Sequence, residues 1–95
     1  MLNSKQRSTL KGLAMTADTI GQIGKAGLTD IIVSEVSQAL TARELVKYRV
    51  LETSPVTARE AAELLAQKTG AQVVQVIGSR IVLYRPNPEK PVITL

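Results

Sequence analysis

The chain has 95 residues and a mass of 10.2 kDa, which leaves room for one small domain and no second core. Hydrophobic residues make up 44% of it, yet Tyr48 and Tyr84 are its only aromatics, and Phe, Trp, Cys and His are absent. Without Cys or His there is no disulfide framework, no thiolate, and none of the usual donors for structural zinc or bases for Ser-His and Cys-His catalysis. No catalytic, metal or cofactor residue is therefore expected, and the missing Cys fits a reducing, cytoplasmic compartment.

Twelve Lys and Arg against eight Asp and Glu give a net charge of +4 and a pI near 9.8, which favours an anionic partner. The uncharged runs fall far short of the ~18 apolar residues of a membrane span. The basic stretch Met1 to Lys11 has no apolar segment behind it, so neither a secretory signal nor a membrane anchor is expected.

In chain order, Asn3 with Gln6 three residues later forms a capping box that opens a helix over Ser4 to Ala14. Leu10, Leu13 and Ala14 share one side of it, while Lys5, Arg7 and Lys11 make the rest basic. Thr19 to Ile23 is short and alternates as a strand, although Gly21 weakens it. After Gly24-Lys25-Ala26-Gly27, Thr29 caps a helix predicted over Asp30 to Leu40, with Ile32, Val36, Ala39 and Leu40 as its buried stripe. Leu45 to Leu51 alternates cleanly: Val46, Tyr48 and Val50 face one way, Lys47 and Arg49 the other.

A second capping box, Thr57 with Glu60, opens a helix that turns Ala58, Ala61, Leu64 and Leu65 inward and stops at Gly70. Gln72 to Ile77 and Ile81 to Arg85 then read as a hairpin around Gly78-Ser79-Arg80. The order α-β-α-β-α-β-β predicts an α/β (α+β) domain with three helices and one mixed four-stranded sheet. Each strand-helix-strand passage implies a right-handed crossover with parallel pairing, and the hairpin adds an antiparallel strand. Residues 1–86 are expected to form the domain, and 87–95 an extended, proline-containing tail along the surface.

The feature that carries chemistry is Gly24-Lys25-Ala26-Gly27 between a strand and a helix. Glycines let the backbone turn sharply and approach a ligand, the helix behind offers unpaired N–H groups, and Lys25 adds a mobile cation. This is the logic of the KH-domain loop that clamps single-stranded backbone. Spacing alone is weak, since a chain of this length carries roughly 0.4 such glycine pairs by chance. A tight turn without ligand is the plain alternative. The dinucleotide and P-loop patterns are absent, which argues against a nucleotide-dependent enzyme and a small-molecule substrate. Glu60 and Glu63 read as a cap and a solvated face, and Tyr48 and Tyr84 as core residues. Lys47 and Arg49 join the site only if their face adjoins the loop.

Several runs together resemble a known family: Lys5-Gln6-Arg7, Leu10 to Ala14, Ile23 to Thr29, Ala39-Leu40, Glu44 to Lys47, and Val76 to Pro86. They are similar to the CRM (chloroplast RNA splicing and ribosome maturation) domain, in its bacterial single-domain YhbY-like form. The resemblance implies an RNA-binding fold similar to the C-terminal domain of translation initiation factor 3 with an added N-terminal helix. It further implies association with precursors of the large ribosomal subunit, since stand-alone bacterial members act there and plant organellar relatives act in group II intron splicing. Carried over, the RNA-binding residues are Gly24, Lys25, Ala26 and Gly27, with Lys5, Arg7 and Lys11 on the first helix. Met15 and Thr19 stand where the family often has His and Pro.

Non-enzymatic RNA binding in ribosome assembly is thus the leading expectation, with Lys47 and Arg49 as further candidates. A small protein-interaction module docking through the apolar hairpin Val73 to Tyr84 is the alternative. With so few aromatics, contacts to RNA backbone and shape are favoured over base stacking. Residues 1–29 carry +3 of the net charge, which concentrates the excess around the loop and first helix.

Overall fold

The computed structural model describes residues 2–95; Met1, the first residue of the expected domain, lies outside them. Helix α1 spans Ser4–Thr16, strand β1 Thr19–Ile23, helix α2 Asp30–Arg43, strand β2 Leu45–Val50, helix α3 Ala58–Thr69, and strands β3 and β4 Gln72–Ile77 and Arg80–Tyr84. All three N-caps read from the sequence are formed, with the Asn3/Gln6 and Thr57/Glu60 boxes closed in both directions. The Thr57 backbone N–H and hydroxyl hold the Glu60 carboxyl below its ordinary range. Gly70 ends α3 in the left-handed conformation.

The sheet runs β1-β2-β4-β3. The crossover from β1 through α2 to β2 gives a parallel pair, as expected. The second passage differs. β3 does not pair with β2, because β4 enters between them and is antiparallel to both. The physical reason is burial: Ile81 to Tyr84 form an unbroken buried run, which requires cover on both faces and a neighbour on both edges.

Strand β2 divides the molecule. Val46, Tyr48 and Val50 face α2 and α3, where they pack with Ile23, Val36, Leu40, Leu65, Ile81 and Leu83. On the other face α1 lays Leu10 and Ala14 over Val74, Val82 and Tyr84. Leu13 and Leu64, expected inside, are exposed. Ala62 takes the inward place on α3, whose buried stripe of Ala61, Ala62, Leu65 and Thr69 is rotated about the helix axis away from Leu64. Burial pushes both tyrosine phenols above their ordinary range. Among the described residues no helix is long and apolar enough to cross a membrane.

Gly21, the residue that weakened the β1 assignment, is what lets Tyr48 enter the core. A Cβ at Gly21 would lie 2.6 Å from Tyr48 Cε2. Tyr48 is fully enclosed, so its ring has little room to retreat.

The end of the chain is tied to a buried carboxylate. Glu44 closes α2 at φ +64, a strained backbone for a residue with a side chain. Its carboxylate accepts hydrogen bonds from the backbone N–H groups of Asn87, Val92 and Ile93, the last two at 2.6 Å. Burial pushes the carboxyl up, but the three donors outweigh it and hold it below its ordinary range. Nearby, the Arg85 guanidinium donates to Ser37, Thr41 and the Thr69 carbonyl and joins the ends of α2 and α3.

Gly21→Ala is expected to destabilise the fold by about 1–3 kcal/mol in urea denaturation, through overpacking against Tyr48. A group held below its unfolded value stabilises the fold above that value and stops doing so as the pH falls through the folded one. Tail protection therefore persists at neutral pH and is lost in acid, as the pH falls through the lowered value of the Glu44 carboxyl. At pH 7, Glu44→Gln should lower hydrogen-exchange protection at Val92 and Ile93 by roughly tenfold or more.

Candidate nucleic-acid interface

Gly24 to Gly27 form a closed turn, with the Gly27 N–H donating to the Gly24 carbonyl at 2.9 Å. Gly27 has φ +71, and a Cβ there would meet Pro55 Cγ at 2.8 Å, so both backbone and space require glycine. Lys25 and Ala26 stand exposed at the tip. Among the described residues their N–H groups have no protein acceptor. The start of α2 is less open than its position implies: the Thr29 hydroxyl accepts the Ile32 N–H, and Asp30 places a carboxylate in the first turn. The donors left open at this end are therefore the loop amides and the exposed Lys25 rather than the helix terminus.

Two backbone hydrogen bonds gather three connections at this end of the sheet. The Leu51 N–H donates to Ile23, and the Val50 N–H donates to Ser79 in the hairpin turn. The strand register then builds a basic surface next to the loop, on the face that α1 only partly covers. Gln22, Arg49, Arg80 and Ile77 form one row across the sheet. Thr19, Lys47, Val82 and Gln75 form the next. Neither row contains an acid. Arg49 thus sits opposite Gln22, two residues before Gly24, so the basic face of β2 does adjoin the loop.

Helix α1 runs from Gln72, whose Oε1 accepts the Leu2 N–H, toward the loop end, where Ala14 and Met15 meet Arg80 and Ile77 around a shared hollow. Lys11 lies one turn before Met15 on α1 and is exposed. Lys5 lies near the far end of α1, about 15 Å along the helix from Met15. It borders a shallow depression with Asn3, Gln6 and Leu95.

Arg7 has a different environment. β3 carries a bulge between Val73 and Gln75 that leaves Val74 without a partner on β4. Arg7 Nη1 donates to both carbonyls of the bulge, Val73 at 2.6 Å and Val74 at 3.0 Å. Its guanidinium fastens α1 to the sheet edge.

The structure thus brings the glycine loop, Lys11, Lys47 and Arg49 to one end, sets Lys5 apart and ties Arg7 to the backbone. Arg80 belongs with the first group and was missed in the sequence because it reads as a turn residue. Its alternation with Val82 and Tyr84 was the available signal, and the register opposite Arg49 completes it.

A family model described as the CRS1 / YhbY (CRM) domain matches residues 2–85. Over 95 residues the chain is 38% identical to the Bacillus subtilis "Probable RNA-binding protein YqeI", covering 100% of this chain and 99% of that one. It is 36% identical over 88 residues to a Haemophilus influenzae protein named RNA-binding protein, covering 93% and 89%. The solution structure of SAV1595 from Staphylococcus aureus, proposed to bind RNA, superposes with a TM-score of 0.82 at 41% identity, covering 100% of this chain and 99% of that one. The chain belongs to the CRM domain family.

Replacing Arg7 with Met removes two charge-assisted bonds and leaves the bulge carbonyls unpaired. A loss of about 1.5–3 kcal/mol in urea denaturation is expected, with early hydrogen exchange along α1.

Proposed function

We propose that this chain is a non-enzymatic, cytoplasmic RNA-binding protein that grips phosphates at the loop end of its sheet and assists assembly of the large ribosomal subunit. The observation that carries the RNA contact is the convergence of Lys25, Arg49 and Arg80 with Lys11 and Lys47 around two acid-free rows. The loop supplies the amides of Lys25 and Ala26, held by Gly24 and Gly27, and the sheet supplies fixed cations beside them. Point charges and amides of this kind recognise backbone, whereas the buried Tyr48 and Tyr84 offer no stacking platform. Lys5 extends the contact along α1, and Arg7 acts mainly by holding that helix in place. The names of the relatives support RNA as the ligand class. Large-subunit precursor RNA as the target rests on the resemblance to stand-alone bacterial members of the family.

The alternative of protein docking through the Val73 to Tyr84 hairpin loses its surface. Ile81 to Tyr84 are enclosed in the middle of the sheet, and only Ile77 among the hairpin's large apolar residues is widely exposed.

The loop is tested by replacing Lys25 and Ala26 with Asp, which keeps both turn glycines. RNA affinity should fall, and the slope of log K against log salt should flatten by about 0.7–0.9 for each phosphate that the variant no longer neutralises. A folded variant with full affinity would reduce the loop to a turn. For the target, crosslinking in cells and sequencing of the bound RNA should return a discrete large-subunit segment.

A further inference from the structure

Where the basic rows meet the end of α1 lies a hollow of about 140 Å³. Its floor is apolar, formed by Ala14 of α1 and Val82 of β4, both buried. Met15 and Ile77 wall it while remaining 82% and 61% exposed. On a chain whose other large apolar side chains mostly fill two cores, two exposed ones facing one hollow mark a place made to be covered. Three polar groups complete the rim: Lys47, Arg80 and the Gln75 amide. Gln75 comes to the hollow through the β3 bulge, which lets Val74 pack under α1 while Gln75 stands opposite Val82. The Arg7 clasp on the Val73 and Val74 carbonyls fixes that arrangement.

Size and chemistry select the occupant. A cavity of roughly 150 Å³ holds a single six-membered ring, so the hollow is too small for a nucleoside cofactor. Its apolar floor and walls suit the faces of a planar ring. The Gln75 amide provides donors and an acceptor for a ring edge that carries both. Lys47 and Arg80 call for a negative charge attached to that ring, and Arg49 continues the positive surface toward the loop. We propose that the hollow receives one unstacked nucleobase of single-stranded RNA, with Gln75 meeting its edge and Arg80 and Lys47 holding the adjoining phosphates. The inference rests on the RNA-binding reading above and adds a base contact to the backbone grip. It makes the partner locally single-stranded, because a paired base cannot reach the floor. Arg7 is then a positioning residue for Gln75.

The test compares fluorescence anisotropy of single-stranded RNA homo-oligomers of about ten nucleotides with a tetrahydrofuran abasic oligomer of equal phosphate number. At matched salt at least one of the four homo-oligomers should bind about fivefold tighter than the abasic chain or better. Met15→Ser combined with Ile77→Ser, both at exposed positions, should abolish that preference while leaving affinity for the abasic chain and the salt slope unchanged. Gln75→Ala should reduce the preference as an independent variant. The Lys25 and Ala26 to Asp variant should do the reverse, weakening both probes and keeping their ratio. Equal affinity for the abasic chain and all four homo-oligomers would overturn the base site, as would a preference that survives in folded pocket variants. Backbone binding would then stand, and the hollow would be left for an apolar protein side chain. Failure of every oligomer to bind would also overturn the base site, whereas the RNA reading would fall only if a folded large-subunit RNA fragment likewise showed no salt-dependent binding.

Discussion

Everything in this molecule depends on the alternation of six residues, Leu45 to Val50. As a strand inside the sheet, β2 sends Val46, Tyr48 and Val50 into the core under α2 and α3 and turns Lys47 and Arg49 to the opposite face. A slip of one residue would bury two cations and expose a tyrosine, so the hydrophobic effect that fixes the core also fixes where the positive charge stands. Gly21 is part of the same constraint, since the Tyr48 ring occupies the space a side chain there would need. The register carried outward from β2 sets Arg80 beside Arg49 and Gln75 beside Val82.

Charge and packing are arranged so that α1 covers only part of the second face. Leu10 and Ala14 seal it over Val82 and Tyr84, and Arg49, Arg80 and Ile77, nearer the loop, remain open. The opposite end of the sheet is built for stability instead. There Glu44 and Arg85 hold the ends of α2 and α3 and the C-terminal segment through charge-assisted bonds to backbone. The molecule thus has one end where Arg49 and Arg80 stand open and another where Glu44 and Arg85 are satisfied internally.

Much of the fold was legible because its signals are local. The three N-caps, the Gly70 stop and the alternation of β2 are encoded within a few residues of where they act. Strand order was not, because the insertion of β4 between β2 and β3 is decided by which strand can be buried on both sides. The site divides in the same way. The loop is a contiguous pattern and could be read directly, whereas Arg80, Gln75 and the hollow exist only through cross-strand register and a bulge. Arg7 shows the opposite case: a basic residue on a basic helix reads as a ligand contact, but two carbonyls freed by a distant bulge engage it. The downward reach of the tail to Glu44 was also beyond local pattern, since it joins residues more than forty positions apart.

The central claim is that the open, basic loop end of the sheet is the RNA-binding surface. It is tested most directly by titrating isotopically labelled protein with a short single-stranded RNA and mapping the backbone amide shifts. The account predicts the largest changes at Lys25 and Ala26, at Arg49 and Arg80, and at the C-terminal turn of α1. Shifts centred on Asp30 to Gln38 of α2, or on the Glu44 end of the molecule, would contradict it.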